Sequence, residues 1–267
     1  MALRLSARPA DLLSRPYSLP ARSFEVRTED GVVLRGHRLG DRPTALVFCH
    51  GFTGWHRKAR LVLFQEELAR WFTVYAFDFR GHGQSGGRSS FGAAEHLDVE
   101  AVVRRAREDG FARVVTFGGS MGGIAVIRHA ALLDGVDGVV AVSTPARWDG
   151  HDTEAVRKMV WLTASRSGRR LLQAWGTRVI DEWAGAEDPA SLVGRIAPTP
   201  LVIVHGRDDH YFDEEEAWLL YRRAEQPKRL LLASRFGHAE DGYGRAFARQ
   251  VAGALGVDHG STAAGGS

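Results

Sequence analysis

Residues 116–131, TFGGSMGGIAVIRHAA, contain the pattern on which the interpretation of the whole sequence depends. An apolar stretch comes first, Ser120 stands at the centre of a G-x-S-x-G motif, and a helix-like segment follows. This order predicts a strand, a sharp turn and a helix, with glycines relieving the crowding at the turn. Such a turn lifts the serine side chain above the sheet, beside a helix N-terminus that favours negative charge. Ser120 is therefore a candidate nucleophile.

A second G-x-S-x-G motif, GQSGG at residues 83–87, is centred on Ser85. It lies in the stretch DFRGHGQSGGRSS, with no helix-like segment immediately behind it. A turn that exposes a nucleophile needs both the strand before it and the helix after it. We therefore predict that Ser120 is the nucleophile and that Ser85 is a chance match.

Length and composition are typical of a soluble globular protein with one large core. The chain has 267 residues, of which 44% are hydrophobic and 25% charged. Its net charge is only +3, and no basic run is interleaved with aromatic residues, so nucleic-acid binding is not expected. The one cysteine, Cys49, excludes an internal disulfide and a cysteine-based zinc site, and its place after ALVF predicts a buried strand position.

The N-terminal 22 residues contain four arginines with prolines between them and no long apolar stretch. This composition argues against a secretory signal peptide and favours a cytoplasmic protein, with an arginine-rich organelle transit peptide as the alternative. Nowhere do about 18 apolar residues follow one another, so no transmembrane helix is expected. The sequence makes no prediction of the oligomeric state.

Strand-like and helix-like segments alternate along most of the chain. SFEVRT and VVLRGHRL predict an antiparallel hairpin around a polar turn at residues 29–31. Further strands are predicted at TALVFCH, FTVYAFD, RVVTFGG, GVVAVST, PLVIVHG and KRLLLAS, and helices at 58–70, 94–109, 121–133, 214–225 and 243–255. The alternation predicts an α/β fold with a mainly parallel sheet covered by helices on both faces.

One segment, residues 146–197, interrupts the alternation with helical patterns and no convincing strand. An insertion at this point is expected near the carboxyl ends of the strands, where α/β folds bind ligands, and it is predicted to be a helical cap. The predicted organisation is an N-terminal extension at 1–22, a core at 23–145 and 198–256, the cap at 146–197 and a flexible tail at 257–267.

The cap contains four of the seven tryptophans, namely Trp148, Trp161, Trp175 and Trp183. They are candidate substrate-binding residues, but they are equally suited to the packing of the cap itself. Leu171 lies four residues before Trp175, a spacing that places both side chains on one helix face. We expect packing to explain most of the tryptophans, with one or two reaching the substrate.

A serine hydroxyl is a weak nucleophile at neutral pH and needs a base, an orienting acid and oxyanion donors. Candidates for the orienting acid and for the base follow Ser120 along the chain, first the acid and then a histidine, which is the required order. Asp208 and Asp209 come after the strand LVIVHG, and His238 lies in RFGHAE before the last helix. The backbone N–H groups of Phe52, just after the strand TALVFC, and of Met121 are candidate oxyanion donors.

Taken in this order, the motifs resemble those of the α/β-hydrolase superfamily over residues 23–256. The resemblance rests on His50-Gly51-Phe52, Asp78-x-Arg80-Gly81-His82-Gly83-x-Ser85, Gly118-Gly119-Ser120-Met121-Gly122, Gly206-x-x-Asp209 and Gly237-His238. HGFTG and DDHYF are similar to motifs of small cinnamoyl or feruloyl esterases and of monoacylglycerol-lipase-like hydrolases. The family pattern implies Asp209, three residues after its glycine, as the triad acid, with Asp208 as the alternative.

The resemblance implies a serine hydrolase that cleaves a small-molecule carboxylic ester or thioester through an acyl-enzyme, without a metal or organic cofactor. Serine at the nucleophile position argues against an epoxide hydrolase or a haloalkane dehalogenase, whose members use aspartate there. Acyltransferases, carbon–carbon hydrolases, peptidases and perhydrolases share the same motifs, and a non-catalytic small-molecule-binding protein of this fold is a further alternative. For Asp78, Arg80 and His82, a hydrogen-bonded structural loop is favoured over a metal or proton-relay site.

Overall fold

A computed structural model describes residues 13–183 and 185–257 of the chain. Within these residues, eight strands form one sheet in the order β1-β2-β4-β3-β5-β6-β7-β8. The strands are β1 (Ala21–Arg27), β2 (Val33–Leu39), β3 (Thr44–Cys49), β4 (Thr73–Phe77), β5 (Arg113–Gly119), β6 (Val139–Val142), β7 (Leu201–Gly206) and β8 (Lys228–Ala233). Strands β3 to β8 are parallel, whereas β2 runs antiparallel to both β1 and β4.

Helices follow most of the strands and cover both faces of the sheet. They are α1 (Ala59–Leu68), α2 (His96–Glu108), α3 (Met121–Leu132), α4 (Glu154–Ala164), α5 (Arg166–Trp175), α6 (Pro189–Leu192), α7 (Glu214–Arg223) and α8 (Arg245–Ala254), with 3₁₀ turns at Val193–Ile196 and Ala239–Gly242. Helices α1 and α8 pack on one face, and α2, α3 and α7 pack on the other. The fold class predicted from the alternating pattern is confirmed.

Two apolar cores lie on either side of the sheet because its central strands are covered on both faces. Strands β3, β4, β6 and β7 are buried at every residue, which is why each is a nearly continuous apolar run. On the α1/α8 face, the rings of Phe64 and Phe247 stack at 5.8 Å between centroids. Cys49 is a free thiol at the buried end of β3, as its position after ALVF predicts.

The predicted hairpin, strands and helices are confirmed, with boundaries that differ by a few residues. Between β6 and β7, residues 146–197 contain α4, α5, α6 and the first 3₁₀ turn; we call this segment the β6–β7 insertion. Its Val179 forms an isolated parallel bridge with Ser89 of the core. Residues 1–12 of the predicted extension and 258–267 of the predicted tail lie outside the described residues, as does Ala184.

The part of the predicted N-terminal extension that the structure describes packs on α1 and the loop before it. Ser14 pairs with Lys58 in an isolated bridge, and its hydroxyl accepts a hydrogen bond from Trp55 Nε1 at 2.9 Å. The Tyr17 hydroxyl donates to Gln65 Oε1 at 2.7 Å. Among residues 13–183 and 185–257, none of the helices has the length and apolar character needed to span a membrane.

Candidate active site

Ser120 occupies the sharp turn between β5 and α3. Its backbone has φ 54° and ψ −120°, a conformation that side-chain-bearing residues rarely adopt. The turn is also crowded: a Cβ at Gly118 would lie 2.1 Å from the Gly122 carbonyl oxygen, and a Cβ at Gly122 would lie 2.3 Å from the Cys49 carbonyl oxygen. The two glycines of the motif are therefore required sterically, and the backbone strain is located at the serine.

The turn is held in register with the neighbouring strand and with the helix that follows. The Ser120 N–H donates to the Val142 carbonyl at 2.8 Å, and the Ser120 carbonyl accepts from the Gly123 N–H at 2.8 Å. Ser120 thus lies at the carboxyl edge of the parallel strands, beside the N-terminus of α3. This edge is where ligands bind in open α/β sheets.

Asp209 and His238 meet at the same edge, three residues after β7 and five residues after β8. The His238 Nδ1 lies 2.8 Å from Asp209 Oδ2 and 3.0 Å from Oδ1. Asp209 Oδ1 also accepts from the N–H groups of Tyr211 at 2.8 Å and Phe212 at 3.2 Å. Burial by itself raises the pKa of the Asp209 carboxyl, but the hydrogen bond and charge of His238, with these two N–H donors, hold its pKa below the usual value.

The His238 ring is held in position by its neighbours. The Tyr211 ring lies 4.3 Å from it, centroid to centroid, at an interplanar angle of 37°. The backbone around the ring is also held by side chains. The backbone N–H of His238 donates to Asp241 Oδ2 at 3.3 Å, and the backbone N–H of Ala239 donates to Ser143 Oγ at 3.0 Å. Asp208, the alternative acid, has an exposed side chain. The paired carboxylate is that of Asp209.

The loop after β3 carries Phe52, one of the two candidate oxyanion donors. His50 shapes this loop: its Nδ1 donates to the Gly51 carbonyl at 2.8 Å, and its Nε2 accepts from the Phe79 N–H at 3.1 Å. This arrangement needs a neutral imidazole, and burial lowers the pKa of His50 to about 3. Met121, the other candidate, is the first residue of α3, where backbone N–H groups have no partner within the helix.

Two cavities meet at Ser120. The larger, which we call the polar chamber, has a volume of about 720 Å³, and its walls include His238, His210, Tyr211 and several charged side chains. The smaller, which we call the apolar chamber, has a volume of about 290 Å³. Its walls are mainly aromatic and aliphatic side chains: Phe52, Phe91, Met121, Ile124, Trp148, Val156, Met159, Val160, Trp183 and Phe212. Ser120 lies in the wall of both chambers.

The four tryptophans of the β6–β7 insertion are placed differently from one another. Trp148 and Trp183 line the apolar chamber, with ring centroids 4.8 Å apart. Trp161 and Trp175 are 50% and 41% exposed and line neither chamber. Phe91 and Met159 line the site but were not among the sequence candidates. Phe212 could have been suggested from DDHYF, since it follows Asp209 by three residues.

The loop containing Asp78, Arg80 and His82 forms buried structural contacts. Asp78 Oδ1 accepts from the His56 Nδ1 at 2.7 Å and Oδ2 from the Gln84 N–H at 2.8 Å. Ser85 is also part of this network and is only 3% exposed. Its hydroxyl donates to the Asp78 carbonyl at 2.5 Å. These contacts match the predicted structural loop, and Ser85 is not at the end of a strand that leads into a helix.

Residues 13–183 and 185–257 contain no group of three or more histidine, cysteine, aspartate or glutamate side chains that could hold a metal ion. The wall of the polar chamber brings together the Ser120 hydroxyl and the His238 imidazole, which is paired with the Asp209 carboxylate. Such a set of groups is suited to nucleophilic attack on a carbonyl and to proton transfer.

A mostly parallel sheet with a serine turn after its fifth strand and a histidine loop after its last strand is the architecture of the α/β-hydrolase fold. A model of the alpha/beta hydrolase family matches residues 46–264, and the chain belongs to this family. It is 27% identical over 241 residues to the uncharacterized protein YfhR of Escherichia coli (strain K12), covering 87% of this chain and 78% of YfhR. It is 25% identical over 233 residues to the uncharacterized protein YqkD of Bacillus subtilis, covering 81% of this chain and 72% of YqkD.

Solved structures share the fold. The esterase Pf2001 of Pyrococcus furiosus superimposes with a TM-score of 0.72 at 24% identity, over 90% of this chain and 91% of Pf2001. The esterase RhEst1 of Rhodococcus sp. ECU1013 superimposes with a TM-score of 0.73 at 20% identity, over 88% of this chain and 98% of RhEst1. At these identities the likeness establishes a common fold.

Proposed function

We propose that this protein is a serine hydrolase that cleaves carboxylic esters or thioesters, with Ser120 as nucleophile, His238 as general base and Asp209 as the orienting acid. The observation that carries the proposal is the 2.8 Å contact between His238 Nδ1 and Asp209 Oδ2, in a chamber whose wall includes Ser120. An imidazole held in this way has Nε2 available as a base, and Ser120, at the strained turn, is half-buried and lines the same chamber.

In the first half of the reaction, His238 Nε2 takes the proton of the Ser120 hydroxyl while Oγ attacks the substrate carbonyl carbon. The carbonyl oxygen becomes an oxyanion, stabilised by the N–H groups of Phe52 and Met121. When the intermediate collapses, the bond to the leaving oxygen or sulfur breaks. His238 gives its proton to the leaving group, and the acyl group remains on Ser120 as an ester.

In the second half, water attacks the carbonyl carbon of the acyl-enzyme. His238 takes a proton from the water, the bond to Ser120 Oγ breaks, and the proton returns to Oγ. The carboxylic acid leaves and the free enzyme is restored. The carboxylate of Asp209 stays ionised and stabilises the imidazolium in both halves, in keeping with its lowered pKa.

We further propose that the β6–β7 insertion acts as a cap over this site. It supplies wall residues to both chambers, including Lys158, Met159 and Trp183. The esterase activity named for Pf2001 and RhEst1 is consistent with this function on the shared fold.

The proposal is tested by hydrolysis of p-nitrophenyl esters, from acetate to long acyl chains, with the wild type and Ser120→Ala. We expect activity in the wild type and a loss of at least about 10⁴-fold in the variant. A fluorophosphonate probe should add one covalent mass to the wild type and none to Ser120→Ala. Ser85→Ala is the matched control, because this serine has the same motif and should keep both activity and labelling.

If Ser120→Ala kept the activity of the wild type, the assignment of Ser120 as the nucleophile would be overturned. Added alcohols separate hydrolysis from transfer, because an acyltransferase would release new esters rather than acid. Tight ligand binding without turnover or labelling would instead favour a binding protein of the same fold.

A further inference from the structure

Helix α4 of the β6–β7 insertion separates the two chambers. Ala155, Lys158 and Leu162 line only the polar chamber, whereas Val156 and Val160 line only the apolar chamber. Residues three and four apart lie on the same side of a helix, so α4 turns one face to each chamber.

Both chambers are bordered by Phe52, Ser120 and Met159. Met159 lies between the two faces of α4, and Phe52 comes from the loop after β3. A substrate bound at Ser120 would therefore extend past these two side chains, with one arm in each chamber.

The position of His238 decides which arm enters which chamber. During collapse of the tetrahedral intermediate, the proton must pass from His238 to the leaving group, which requires the leaving group on the histidine side. His238 lines the polar chamber and is not part of the apolar chamber's wall. Met121, a candidate oxyanion donor, lines the apolar chamber.

The geometry points to an ester of an apolar acid with a polar alcohol as the substrate: the apolar chamber binds the acyl group, and the polar chamber binds the alcohol. This inference rests on the proposed function and adds the substrate class to it. Helix α4 then determines both selectivities, acyl through Val160 and alcohol through Leu162.

The apolar chamber has the size and surface for an aryl-alkanoyl or medium-chain acyl group. An apolar cavity of about 150 Å³ holds one benzene molecule. A chamber of 290 Å³ therefore has room for about twelve carbon atoms. The rings of Phe52, Phe91 and Trp183 form a continuous aromatic wall, because Phe91 lies 5.2 Å from Phe52 and 5.9 Å from Trp183 between centroids.

The polar chamber favours a hydroxylated, uncharged alcohol. Each lysine of its wall is already paired with a carboxylate: Lys58 with Glu240, and Lys158 with Glu154 at 2.6 Å. A highly charged leaving group such as a nucleotide thioester would have to break these pairs to be neutralised. Hydroxyl groups can instead donate to the carboxylates and accept from the ammonium groups without disturbing them.

The test is a matrix of esters in which acyl group and alcohol vary independently. Ethyl esters of acids with 2 to 16 carbons and of 3-phenylpropanoate report on the acyl group. Octanoates of ethanol, glycerol and 1-octanol report on the alcohol. We expect the wild type to prefer acyl groups of roughly 6 to 12 carbons and glycerol over 1-octanol, since each well-placed methylene changes kcat/KM by about 10-fold or more.

Val160→Trp and Leu162→Trp are matched variants, two residues apart on α4. Val160 is 54% exposed, so a larger side chain there is compatible with folding. Val160→Trp should lower the octanoate-to-acetate ratio of kcat/KM for the ethyl esters by about 10-fold or more. Leu162→Trp should leave that ratio within about twofold and lower the glycerol-to-ethanol ratio instead. Trp161→Ala, between them and outside both chambers, should change neither ratio.

If Leu162→Trp does not fold, Leu162→Ala and Val160→Ala test the same assignment in the opposite direction, by enlarging one chamber each. Exchanged effects, in which position 160 controls the alcohol and position 162 the acyl group, would overturn the assignment. So would variants at both positions that alter the two ratios together. Activity that persists in Ser120→Ala would instead refute the proposed function, whatever the ester profile.

Discussion

The carboxylate of Asp209 pairs with Nδ1 of the His238 imidazole, and of these two residues only His238 lines the polar chamber. Oδ2 lies 2.8 Å from Nδ1, and the Asp209 side chain is only 1% exposed. Because the lowered pKa of Asp209 keeps its carboxyl ionised, Nδ1 of His238 carries a proton and donates a hydrogen bond to the carboxylate. The tautomer is thereby determined, and Nε2 is the basic nitrogen.

Asp209→Asn should lower kcat by about 10⁴-fold, because an amide in this place favours the wrong tautomer while preserving the shape of the site. The measurement is steady-state hydrolysis of one good ester substrate at pH 8. Asp208→Asn is the matched control, since it makes the same chemical change one residue away at an exposed side chain. Loss of activity in Asp208→Asn, with activity retained in Asp209→Asn, would exchange the roles of the two residues.

Ser120 should carry strain that a glycine relieves. Its φ of 54° with ψ −120° costs about 1–3 kcal/mol for a residue with a Cβ. Glycine removes this cost and loses about 0.5–1 kcal/mol through the flexibility of the unfolded chain. With mid-range values for both effects, Ser120→Gly should be about 1 kcal/mol more stable to unfolding than Ser120→Ala, with both variants inactive.

Guanidinium unfolding at pH 7 measures this difference directly. The comparison between glycine and alanine isolates the backbone, since both variants lack the hydroxyl. Equal stabilities, or a less stable glycine variant, would mean that the strain at this residue does not exceed the roughly 0.5–1 kcal/mol that glycine loses through the flexibility of the unfolded chain.

We expect Ser85→Ala to lower the free energy of unfolding and to keep its activity, whereas Ser120→Ala should lose its activity. The Ser85 hydroxyl donates to the Asp78 carbonyl at 2.5 Å in a buried contact and accepts from the Arg35 N–H at 3.0 Å in a partly buried one. Its removal leaves these backbone groups without that partner and should cost about 1–3 kcal/mol of unfolding free energy. Activity at 25 °C should stay near the wild-type level. A large loss of kcat in a stable Ser85→Ala would contradict a structural role.

The elements that the sequence predicts well are those determined by local sterics and by burial. The strand, turn and helix around Ser120 follow from glycines that no larger residue can replace, such as Gly118 and Gly122. The central strands follow from apolar runs that only a covered sheet can bury. The order of Ser120, Asp209 and His238 could be matched to a family pattern, and the choice of Asp209 over Asp208 agrees with the contact to His238.

The division of the site by α4 could not be predicted, because it depends on how the β6–β7 insertion docks over the sheet. The spacing of residues in EAVRKMVWLTA indicates which side chains share a face but not which chamber each face meets. The tryptophans illustrate the same limit. The backbone N–H of Trp148 donates to Asp188 Oδ1 at 2.9 Å, a contact across 40 residues, and Trp148 lines the apolar chamber, whereas Trp161 is exposed.

Each buried neutral histidine should contribute a decrease in the free energy of unfolding as the pH falls from 6.5 to 4. Burial, with a smaller contribution from the charge of Arg178, lowers the pKa of His82 from 6.5 to about 4, despite the opposing effects of the Arg80 carbonyl and Asp78. In this range the unfolded chain binds a proton at His82 that the folded chain does not, so the free energy of unfolding falls as the pH falls. His50, with a pKa of about 3, adds an effect of the same sign.

His82→Asn isolates the contribution of one imidazole. Asparagine can keep the hydrogen bond that His82 Nδ1 donates to the Arg80 carbonyl at 3.0 Å, but it does not titrate. Because one proton corresponds to about 1.4 kcal/mol per pH unit, the slope of unfolding free energy against pH should be smaller in the variant by up to about that amount between pH 6 and pH 4.5. Guanidinium unfolding of both proteins at half-unit steps from pH 8 to pH 4.5 gives the two slopes, with the values above pH 7 as the internal control. Parallel curves of unfolding free energy against pH over the acidic range would show that His82 takes up its proton equally in the folded and unfolded chains. The buried neutral imidazole of His82 would then not be a cause of the loss of stability in acid.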